Sequence, residues 1–365
     1  MQTALFAEQP LPWHLCSSRV CRSRITVITI PRIKDMLNQD VFLKIVRYAV
    51  KAPSGHNTQP WTFALDNNTL IIRPDFSRSL PVVDPDHHAL YISLGCAVEN
   101  AVLAAACYGY RTEVGYQPQQ DQMEIHLRLM AEESLPAPEL FPLIQQRQVT
   151  RSAYLKEPIP VEQLQQLQTA AEEEGVAVRF FTDAREIASL MPFIIEGSDR
   201  QFGCPEFVTE LVGWIRFSAR EAMRLGDGLW TSAMGLPPMG RWLGRWIMTH
   251  LVTAKSEARR WRKLIDASAG LALFMVREND PVGWIRLGRA FQRFGLKATQ
   301  LNVRHAHVNM PCEETAVRGK LEDVLALSPW TPLLLIRFGY GKTLPYSLRR
   351  PVDKVIHPHQ EPRMA

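Results

Sequence analysis

The sequence predicts an α+β protein made of two fused halves, each with an antiparallel-based sheet flanked by helices. Two alternating apolar runs around a turn-forming stretch indicate a β-hairpin at residues 61–75. A helix rich in small residues follows at 90–110, and a similar helix recurs at 283–303, before the strongly apolar strand predicted at 331–341. The halves therefore look like a divergent internal duplication, with two unrelated α+β domains as the alternative.

The first half opens with an amphipathic helix. Residues 40–50 place apolar side chains on one helical stripe, and Pro53 stops the helix because proline lacks the backbone N–H. The hairpin turns at residues 66–68, an Asp-Asn-Asn sequence that tolerates left-handed backbone geometry. The small-residue helix ends at Gly109, and residues 123–130 alternate like a further strand.

The second half begins after a Pro- and Glu-rich separator at residues 131–142. Residues 144–181 predict a helix, an extended turn, a Gln-rich amphipathic helix and a strand. Residues 225–262 have no counterpart in the first half and carry clustered Trp, Met and Pro. We expect a surface with so many aromatic side chains to be buried, either against the other half of the chain or by a bound aromatic ligand.

These patterns predict three segments. Residues 1–35 are a basic and flexible extension, or upstream sequence if synthesis starts at Met36. Residues 36–135 form the first half. Residues 140–365 form the second half, with a lid-like insertion at 225–262.

Composition excludes several classes of protein. With 46% hydrophobic and 22% charged residues, the chain matches a soluble globular protein, and no stretch of about 20 apolar residues predicts a membrane span. The net charge of +5 is too small to indicate nucleic-acid binding. The 6 cysteines form no C-x-x-C pair and no metal-ligand spacing with histidine, which favours free thiols over a zinc site or a disulfide framework. We therefore expect a reducing, cytoplasmic location.

The most informative motif is APSGHNTQPW at residues 52–61, a loop bounded by proline at both ends. Ser54, Asn57 and Gln59 can each donate and accept hydrogen bonds, and none of them titrates near neutral pH. This chemistry suits recognition of an amide-rich heterocycle. A self-capped connecting loop is the alternative.

Two arginine-rich motifs lie in the second half. In RQVTR, Arg147 and Arg151 are four residues apart at the end of the predicted helix, with the Thr150 hydroxyl between them, which indicates a phosphate clamp. A pair of surface arginines is the alternative. Near the C-terminus, Arg349 and Arg350 precede Pro351, and a basic tail is the simpler interpretation there.

The segment RHAHVNMP contains two histidines at metal-like spacing. Because no third ligand follows His305 and His307, the pattern favours a strand edge or loop over a metal site. The tandem His87-His88 is typical of a surface turn. No glycine-rich dinucleotide or P-loop motif and no G-x-S-x-G elbow occurs in the chain.

Taken together, these motifs resemble the nitroreductase-like flavoprotein superfamily, and more closely its Acg-type subfamily, in which two halves are fused. The A-P-S-x-x-N-x-Q-P-W loop of that family is matched at residues 52–61, in the first half only. The arginine motif, an E-P-I-P turn at residues 157–160 and the R-R-P terminus are found in the second half only. The resemblance thus implies an intramolecular pseudo-dimer with one complete flavin site per chain.

The resemblance also implies the cofactor, FMN, and the residues that hold it. Arg147 and Arg151, with Arg349 or Arg350, would bind the phosphate, helped by Thr150 if the motif shifts by one residue from Val149. Ser54 and Asn57 would contact the ribityl chain and the ring, with Gln59 as a weaker candidate, and His307 and Asn309 would lie near the flavin N5 edge. No side chain is expected to be catalytic, and no metal is expected.

The function implied by the resemblance is ping-pong hydride transfer through flavin N5, from NAD(P)H to a nitroaromatic or quinone-like acceptor. The alternative is a flavin-sequestering or redox-buffering protein with little turnover, in which the insertion closes over the cofactor. The expected partners are NAD(P)H and a small aromatic acceptor, not nucleic acid or a membrane. The chain would be a monomer or a homodimer.

Overall fold

The computed structural model describes residues 38–120, 122–132 and 134–357. The predicted extension at 1–35, the possible start at Met36 and two of the cysteines, Cys16 and Cys21, lie outside these residues. The helices, in chain order, are α1 (Gln39–Ala49), α2 (His88–Cys107), α3 (Val161–Ala170), α4 (Ala184–Phe202), α5 (Pro205–Trp214), α6 (Ala219–Leu225), α7 (Arg241–His250), α8 (Ala254–Asp266), α9 (Pro281–Gln300), α10 (Met310–Glu313) and α11 (Thr315–Leu325). The strands are β1 (Trp61–Asp66), β2 (Thr69–Pro74), β3 (Tyr110–Gln119), β4 (Gln122–Ala131), β5 (Val176–Phe181), β6 (Ile215–Arg216), β7 (Leu229–Trp230), β8 (Gly270–Val276), β9 (Val303–His307) and β10 (Thr331–Tyr340).

The first half contains an antiparallel sheet with strand order β1-β2-β4-β3. The predicted hairpin is confirmed, since Asp66 pairs with Thr69 and Asn67 takes the positive φ of 50° that the turn requires. The strand predicted at 123–130 is also confirmed as β4. Strand β3 was not predicted, although Tyr110, Thr112, Val114 and Tyr116 alternate with charged residues or glycine and burial alternates over its first five residues.

The second half contains another antiparallel sheet, with strand order β5-β8-β10-β9. All seven residues of β8 are buried, which explains its continuous apolar sequence. The strand β9 lies at the sheet edge and carries His305 and His307, so the strand-edge interpretation of these histidines is confirmed.

The two sheets are joined through the helices α2 and α9. Helix α2 packs against strands of the first sheet, α9 packs against strands of the second, and the two helices contact each other. They approach closely because Gly95 and Gly288 face each other: a Cβ on Gly288 would lie 2.0 Å from the carbonyl oxygen of Ile92, and a Cβ on Gly95 would lie 2.1 Å from that of Ile285. The α+β class with antiparallel sheets is therefore confirmed, and an origin from a fused dimer stays a prediction.

Helix α2 is the one described helix long and apolar enough to cross a membrane, with 20 residues and a mean hydropathy of 1.6 in its most apolar window. However, 78% of that window is buried inside the molecule. Its apolar surface is thus used for packing against α1, α9 and the first sheet.

The insertion at 225–262 folds as β7, a short 3₁₀ turn at Ser232–Met234, helix α7 and most of α8. It buries some of its apolar side chains, including that of Ala233, but leaves Trp242 80% exposed and Trp246 43% exposed. The expectation that its aromatic side chains would be covered is therefore wrong for these two residues. Other residues of the insertion line a cavity.

Two further expectations concern cysteine and histidine. The four described cysteines, Cys96, Cys107, Cys204 and Cys312, are free thiols, as predicted. The surface-turn interpretation is wrong for His88, which is buried at the start of α2. Ligand atoms of Asp84, Asp86 and His88 lie within 4.8 Å of one another. Both carboxylate oxygens of Asp84, however, accept hydrogen bonds from the backbone N–H groups of residues 89 and 90, so this carboxylate caps the helix.

Candidate functional site: an arginine-lined cavity

Three distant segments of the chain enclose one cavity of about 250 Å³. They are the loop at residues 53–57, the arginine motif at 147–151 and the C-terminal segment at 345–349. The structure thus brings together motifs that the sequence divides between the two halves. The predicted site residues that line this cavity are Ser54, Asn57, Arg147, Arg151, His307 and Arg349.

The loop at 52–59 has an unusual backbone that fixes its side chains. His56, Asn57 and Gln59 all have positive φ values, of 46°, 55° and 56°. The Ser54 hydroxyl accepts a hydrogen bond of 2.9 Å from the backbone N–H of Gln59, so the loop is self-capped, as in the alternative interpretation. Self-capping and ligand contact are compatible here, because Ser54 and Asn57 also line the cavity.

Asn57 connects two segments of the second half that meet the loop. Its amide nitrogen donates to the carbonyl oxygens of Gly228 and Leu348, at 3.0 and 3.1 Å, and its amide oxygen accepts from Nη1 of Arg349 at 3.0 Å. Gly228, with φ of +74°, has no room for a side chain, since a Cβ would lie 2.4 Å from the carbonyl oxygen of Trp214. Both N–H donors of the Asn57 amide are used within the protein, and the residue forms part of the wall of the cavity.

The arginine motif is not at the end of an α-helix, as the sequence suggested. A 3₁₀ turn at Phe141–Gln145 is followed by chain without regular secondary structure at residues 147–151. This chain is held by the fold around it, since the backbone N–H of Thr150 donates to the carbonyl oxygen of His305 in the edge strand β9. Arg147 and Arg151 nevertheless line the same cavity.

Arg147 and Arg349 converge on the backbone of Lys51. Nη2 of Arg147 donates to the Lys51 carbonyl at 3.4 Å, and Nη2 of Arg349 donates to it at 3.1 Å and to the Ala52 carbonyl at 3.0 Å. Arg147 is only 5% exposed, and its Nε and Nη1 have no partner within the described part of the chain. Nε of Arg349 also lacks a described partner. The surface-arginine interpretation is therefore wrong for Arg147.

The electrostatics of the cavity favour an anion. Burial lowers the pKa of Arg147 to about 10, and burial together with the charge of Arg147 lowers the pKa of Arg349 to about 9. Burial also lowers the pKa of Arg151 to about 10, with Arg260 and Arg337 contributing. Within the described residues, the lining holds one carboxyl group, that of Glu313, whose pKa is raised by burial. The positive charge is thus largely uncompensated.

Four predicted contact residues do not line the cavity: Gln59, Thr150, Arg350 and Asn309. Gln59 is fully buried and bridges segments: its Nε2 donates to the Gly226 carbonyl at 2.8 Å, and its Oε1 accepts from the Arg350 backbone N–H at 2.8 Å. The guanidinium of Arg350 donates to the carbonyl of Lys354 at 2.8 Å. Thr150 is fully buried, and its hydroxyl donates to Oε1 of Gln148 at 3.3 Å. Gln59, Arg350 and Thr150 therefore hold neighbouring segments together.

Several lining residues were not predicted from the sequence, among them Gln148 and Glu313. Gln148 lines the cavity, and its Nε2 has no hydrogen-bond partner among the described residues. Its position between the two arginines of the motif is the signal that could have identified it. Glu313 lines the cavity and accepts hydrogen bonds from Gln201 at 2.7 Å and from Asn309 at 3.2 Å. Nothing in the local sequence distinguishes Glu313 from its neighbour Glu314.

The predicted residue Asn309 lies at an adjoining cavity. Its side-chain oxygen accepts a hydrogen bond of 2.8 Å from the backbone N–H of Leu335, and its amide nitrogen donates to Glu313. His307 lines both cavities. These two residues therefore mark the boundary between the two spaces.

The histidines of the site predict a loss of stability in acid. Burial, with the charges of Arg151 and Arg147, lowers the pKa of His307 to about 3, and burial with the charge of Arg151 lowers that of His56 to about 4. In the unfolded chain both imidazoles take up protons near pH 6.5. Between about pH 6.5 and pH 4 the unfolded state therefore binds more protons, so the free energy of unfolding falls as pH falls through this range.

We expect His307→Gln to weaken this dependence. Urea unfolding at pH 7.5, 6.0 and 4.5 should show a smaller loss of unfolding free energy for the variant than for the unaltered protein. His250→Gln, at an exposed imidazole on α7, is the control and should leave the slope unchanged. Equal slopes for all three proteins would contradict the assignment of acid sensitivity to the cavity.

The chain is 24% identical over 332 residues to two curated proteins of Mycobacterium tuberculosis strains, provisionally named NAD(P)H nitroreductases, with 86% of this chain and 90% of each relative covered. This similarity supports a place in the nitroreductase-like superfamily. No family model matches the chain. Nothing in the comparisons bears on the Acg-type subfamily.

Solved structures align with this chain only in part. An iodotyrosine deiodinase bound to FMN and 3-iodo-L-tyrosine shares 14% identity at a TM-score of 0.39, covering 58% of this chain and 95% of that one. An FMN-dependent nitroreductase of Mycobacterium smegmatis in complex with NADPH shares 15% identity at a TM-score of 0.36, covering 55% and 86%. A nitroreductase of Bacteroides fragilis with bound FMN shares 13% at 0.34, covering 56% and 89%.

Proposed function

We propose that the arginine-lined cavity binds FMN and that the protein is an NAD(P)H-driven oxidoreductase acting on nitroaromatic or quinone-like acceptors. The observation that carries this proposal is the pair Arg147 and Arg349, two cations that donate to the same Lys51 carbonyl and form no ion pair with a described carboxylate. A dianionic phosphate would relieve their mutual repulsion and occupy their free N–H groups. The names of the two mycobacterial relatives support the same activity.

The polar atoms left without partners fit a flavin mononucleotide. Nε and Nη1 of Arg147 and Nε of Arg349 are donors that suit phosphate oxygens, and Nε2 of Gln148 is a further donor. Arg350, which the resemblance also connects with the phosphate, has its donors engaged elsewhere. We therefore propose that Arg147, Gln148 and Arg349 hold the phosphate and that Ser54 contributes the wall beside it.

When bound, FMN would supply the redox chemistry, by ping-pong hydride transfer through N5 between NAD(P)H and the acceptor. The chain would bind and orient the ligands. His56 and His307 are neutral at pH 7, since the pKa of each lies several units lower, so neither adds a cation to the already positive cavity. We also propose a cytoplasmic location, where NAD(P)H is present and free thiols such as Cys96 persist.

The proposal predicts a yellow protein with one FMN per chain. The measurement is the visible absorption spectrum with quantification of released flavin. We expect NADH or NADPH to bleach the flavin band and a nitroaromatic or quinone to restore it. A stoichiometry near two would contradict the single site that the divided motifs imply, and protein that stays colourless after incubation with FMN would contradict the function.

One observation favours the second candidate, a flavin-sequestering protein with little turnover. The insertion at 225–262 supplies Leu229 to the arginine-lined cavity and encloses the adjoining one, as a lid would. In that case only dithionite would bleach the flavin, and NAD(P)H would not. The same spectroscopic experiment thus separates the two candidates, and the finer assignment to the Acg-type subfamily belongs to this second proposal.

A further inference from the structure

A second cavity, of about 420 Å³, adjoins the arginine-lined one. The two share five lining residues, which makes them neighbours across a common boundary: His56, Arg151, Leu229, His307 and Glu313. Most of the second cavity is apolar, with Phe207 from α5, Ile247 and Met248 from α7, and Trp261 and Leu264 from α8. Its volume falls within the range of pockets that hold small organic molecules.

The polar part of this second cavity is a group of three arginines, Arg151, Arg260 and Arg337. Arg337 is only 1% exposed, and its Nη2 donates to the backbone carbonyls of Arg151 and Ser152 at 2.8 and 2.9 Å. Its guanidinium lies over the ring of Tyr154, 4.1 Å from the centroid. Its Nε and Nη1 have no hydrogen-bond partner in the described part of the chain.

The carboxyl groups nearby do not balance these charges. Glu257 accepts a hydrogen bond of 2.9 Å from Arg260 and forms an ion pair with it. Glu313 accepts hydrogen bonds from two amide side chains, and burial raises its pKa, which favours the neutral acid. Among the described lining residues, three guanidinium groups thus face one paired carboxylate and one carboxyl group with a raised pKa.

These arginines form a different set from the pair that we assign to the phosphate. Besides burial, the charges of Arg260 and Arg337 lower the pKa of Arg151, whereas the charge of Arg147 lowers the pKa of Arg349. The hydrogen bonds show the same division. Arg147 and Arg349 both donate to the Lys51 carbonyl, whereas Arg337 donates to the backbone carbonyl of Arg151. Arg147 and Arg349 line only the first cavity, Arg260 and Arg337 line only the second, and Arg151 lies at the boundary and lines both.

We propose that the second cavity binds a nitroaromatic or quinone-like acceptor that carries a carboxylate, with this carboxylate beside Arg260 and Arg337 and the rings among the apolar side chains of α5, α7 and α8. This inference rests on the proposed function, because the adjoining cavity supplies the electrons only if it holds FMN. The binding itself does not depend on the flavin. The apolar wall excludes water, and this strengthens a charge-assisted hydrogen bond between a carboxylate and an arginine. A ligand that cannot form this hydrogen bond therefore loses more affinity than it would in water.

Calorimetric titration with a redox-inert pair of probes tests the proposal. The probes are 4-biphenylcarboxylate and the neutral 4-biphenylcarboxamide, which share a shape. At pH 7.5 we expect the carboxylate to bind the protein as isolated at least tenfold more tightly than the amide. Equal affinities, or no binding of either probe, would overturn the proposal.

Matched variants assign the effect to the cavity. Arg260→Gln should weaken carboxylate binding about tenfold and leave the amide unchanged, because it removes one cation from the group. Arg259→Gln is the control on the same helix, since this exposed side chain donates only to the Lys255 carbonyl. If Arg259→Gln weakened carboxylate binding as much as Arg260→Gln, the effect would be one of net charge, and the proposal would fail.

A third variant separates this inference from the proposed function. Arg147→Met should weaken FMN binding and leave the affinity for 4-biphenylcarboxylate within about threefold, because Arg147 does not line the second cavity. If carboxylate binding fell with FMN binding, the probe would occupy the first cavity. Protein that binds the carboxylate but no FMN would overturn the proposed function and keep the second site.

Discussion

Arg147→Met is expected to reduce the affinity for FMN roughly 30- to 140-fold, corresponding to a loss of about 2–3 kcal/mol from a charge-assisted contact with phosphate. The reason is that Arg147 offers two free donors, Nε and Nη1, in a buried position. The measurement is a fluorescence titration of the flavin-free protein with FMN. The double variant with Arg349→Met should have no measurable affinity.

The same substitution should not destabilise the flavin-free protein. The guanidinium of Arg147 makes one long hydrogen bond, of 3.4 Å to Lys51, and burial disfavours its charge. We therefore expect the thermal midpoint of Arg147→Met without flavin to be unchanged or higher. This pattern, lower affinity without lower stability, distinguishes a ligand-binding arginine from a structural one.

Arg350→Met is the matched control for this prediction. It removes the same charge from the neighbouring arginine, whose guanidinium donates to the carbonyls of Gln59 and Lys354 and does not line the cavity. We expect its FMN affinity to stay within about threefold of the unaltered protein. If Arg350→Met lost as much affinity as Arg147→Met, the assignment of the phosphate to Arg147 would be wrong.

Gly288→Ala is expected to have the largest effect on folding, with a loss of about 3 kcal/mol or more in the free energy of unfolding. A Cβ at this position would lie 2.0 Å from the carbonyl oxygen of Ile92 and 2.9 Å from the Cα of Gly95. Both are backbone atoms of a packed helix, so they cannot rotate away as a side chain could. Helices α2 and α9 would have to separate, and each supports one of the two sheets.

Urea unfolding measures this loss. If Gly288→Ala is insoluble, the milder Cys96→Ala can be used instead, since Sγ of Cys96 contacts the Gly288 carbonyl at 3.1 Å in the same helix crossing. Gly319→Ala in α11 is the control, because a Cβ there meets open space. It should stabilise the protein by up to about 1 kcal/mol, the ordinary preference of a helix for alanine. Equal stabilities for Gly288→Ala and Gly319→Ala would show that the helix crossing tolerates separation.

Much of the fold follows from local sequence. The hairpin at 61–75, the small-residue helix α2 and the apolar strand β10 were predicted from their local patterns. Strands β3 and β8 were not predicted, although β3 alternates in part and β8 is a continuous apolar run. The helix predicted before Arg147 was wrong, since a 3₁₀ turn is followed there by irregular chain whose Thr150 backbone N–H donates to the His305 carbonyl in β9.

The sequence by itself determined which residue types could meet a phosphate and a flavin, and that each half lacked part of the set. Only the tertiary structure decided which of them reach the cavity. Arg349 lines it while its neighbour Arg350 does not, and Gln148 lines it while Thr150 is enclosed. The physical reason is that the side chains of a segment reach the cavity or are enclosed according to the other segments packed around them, which the local sequence does not specify.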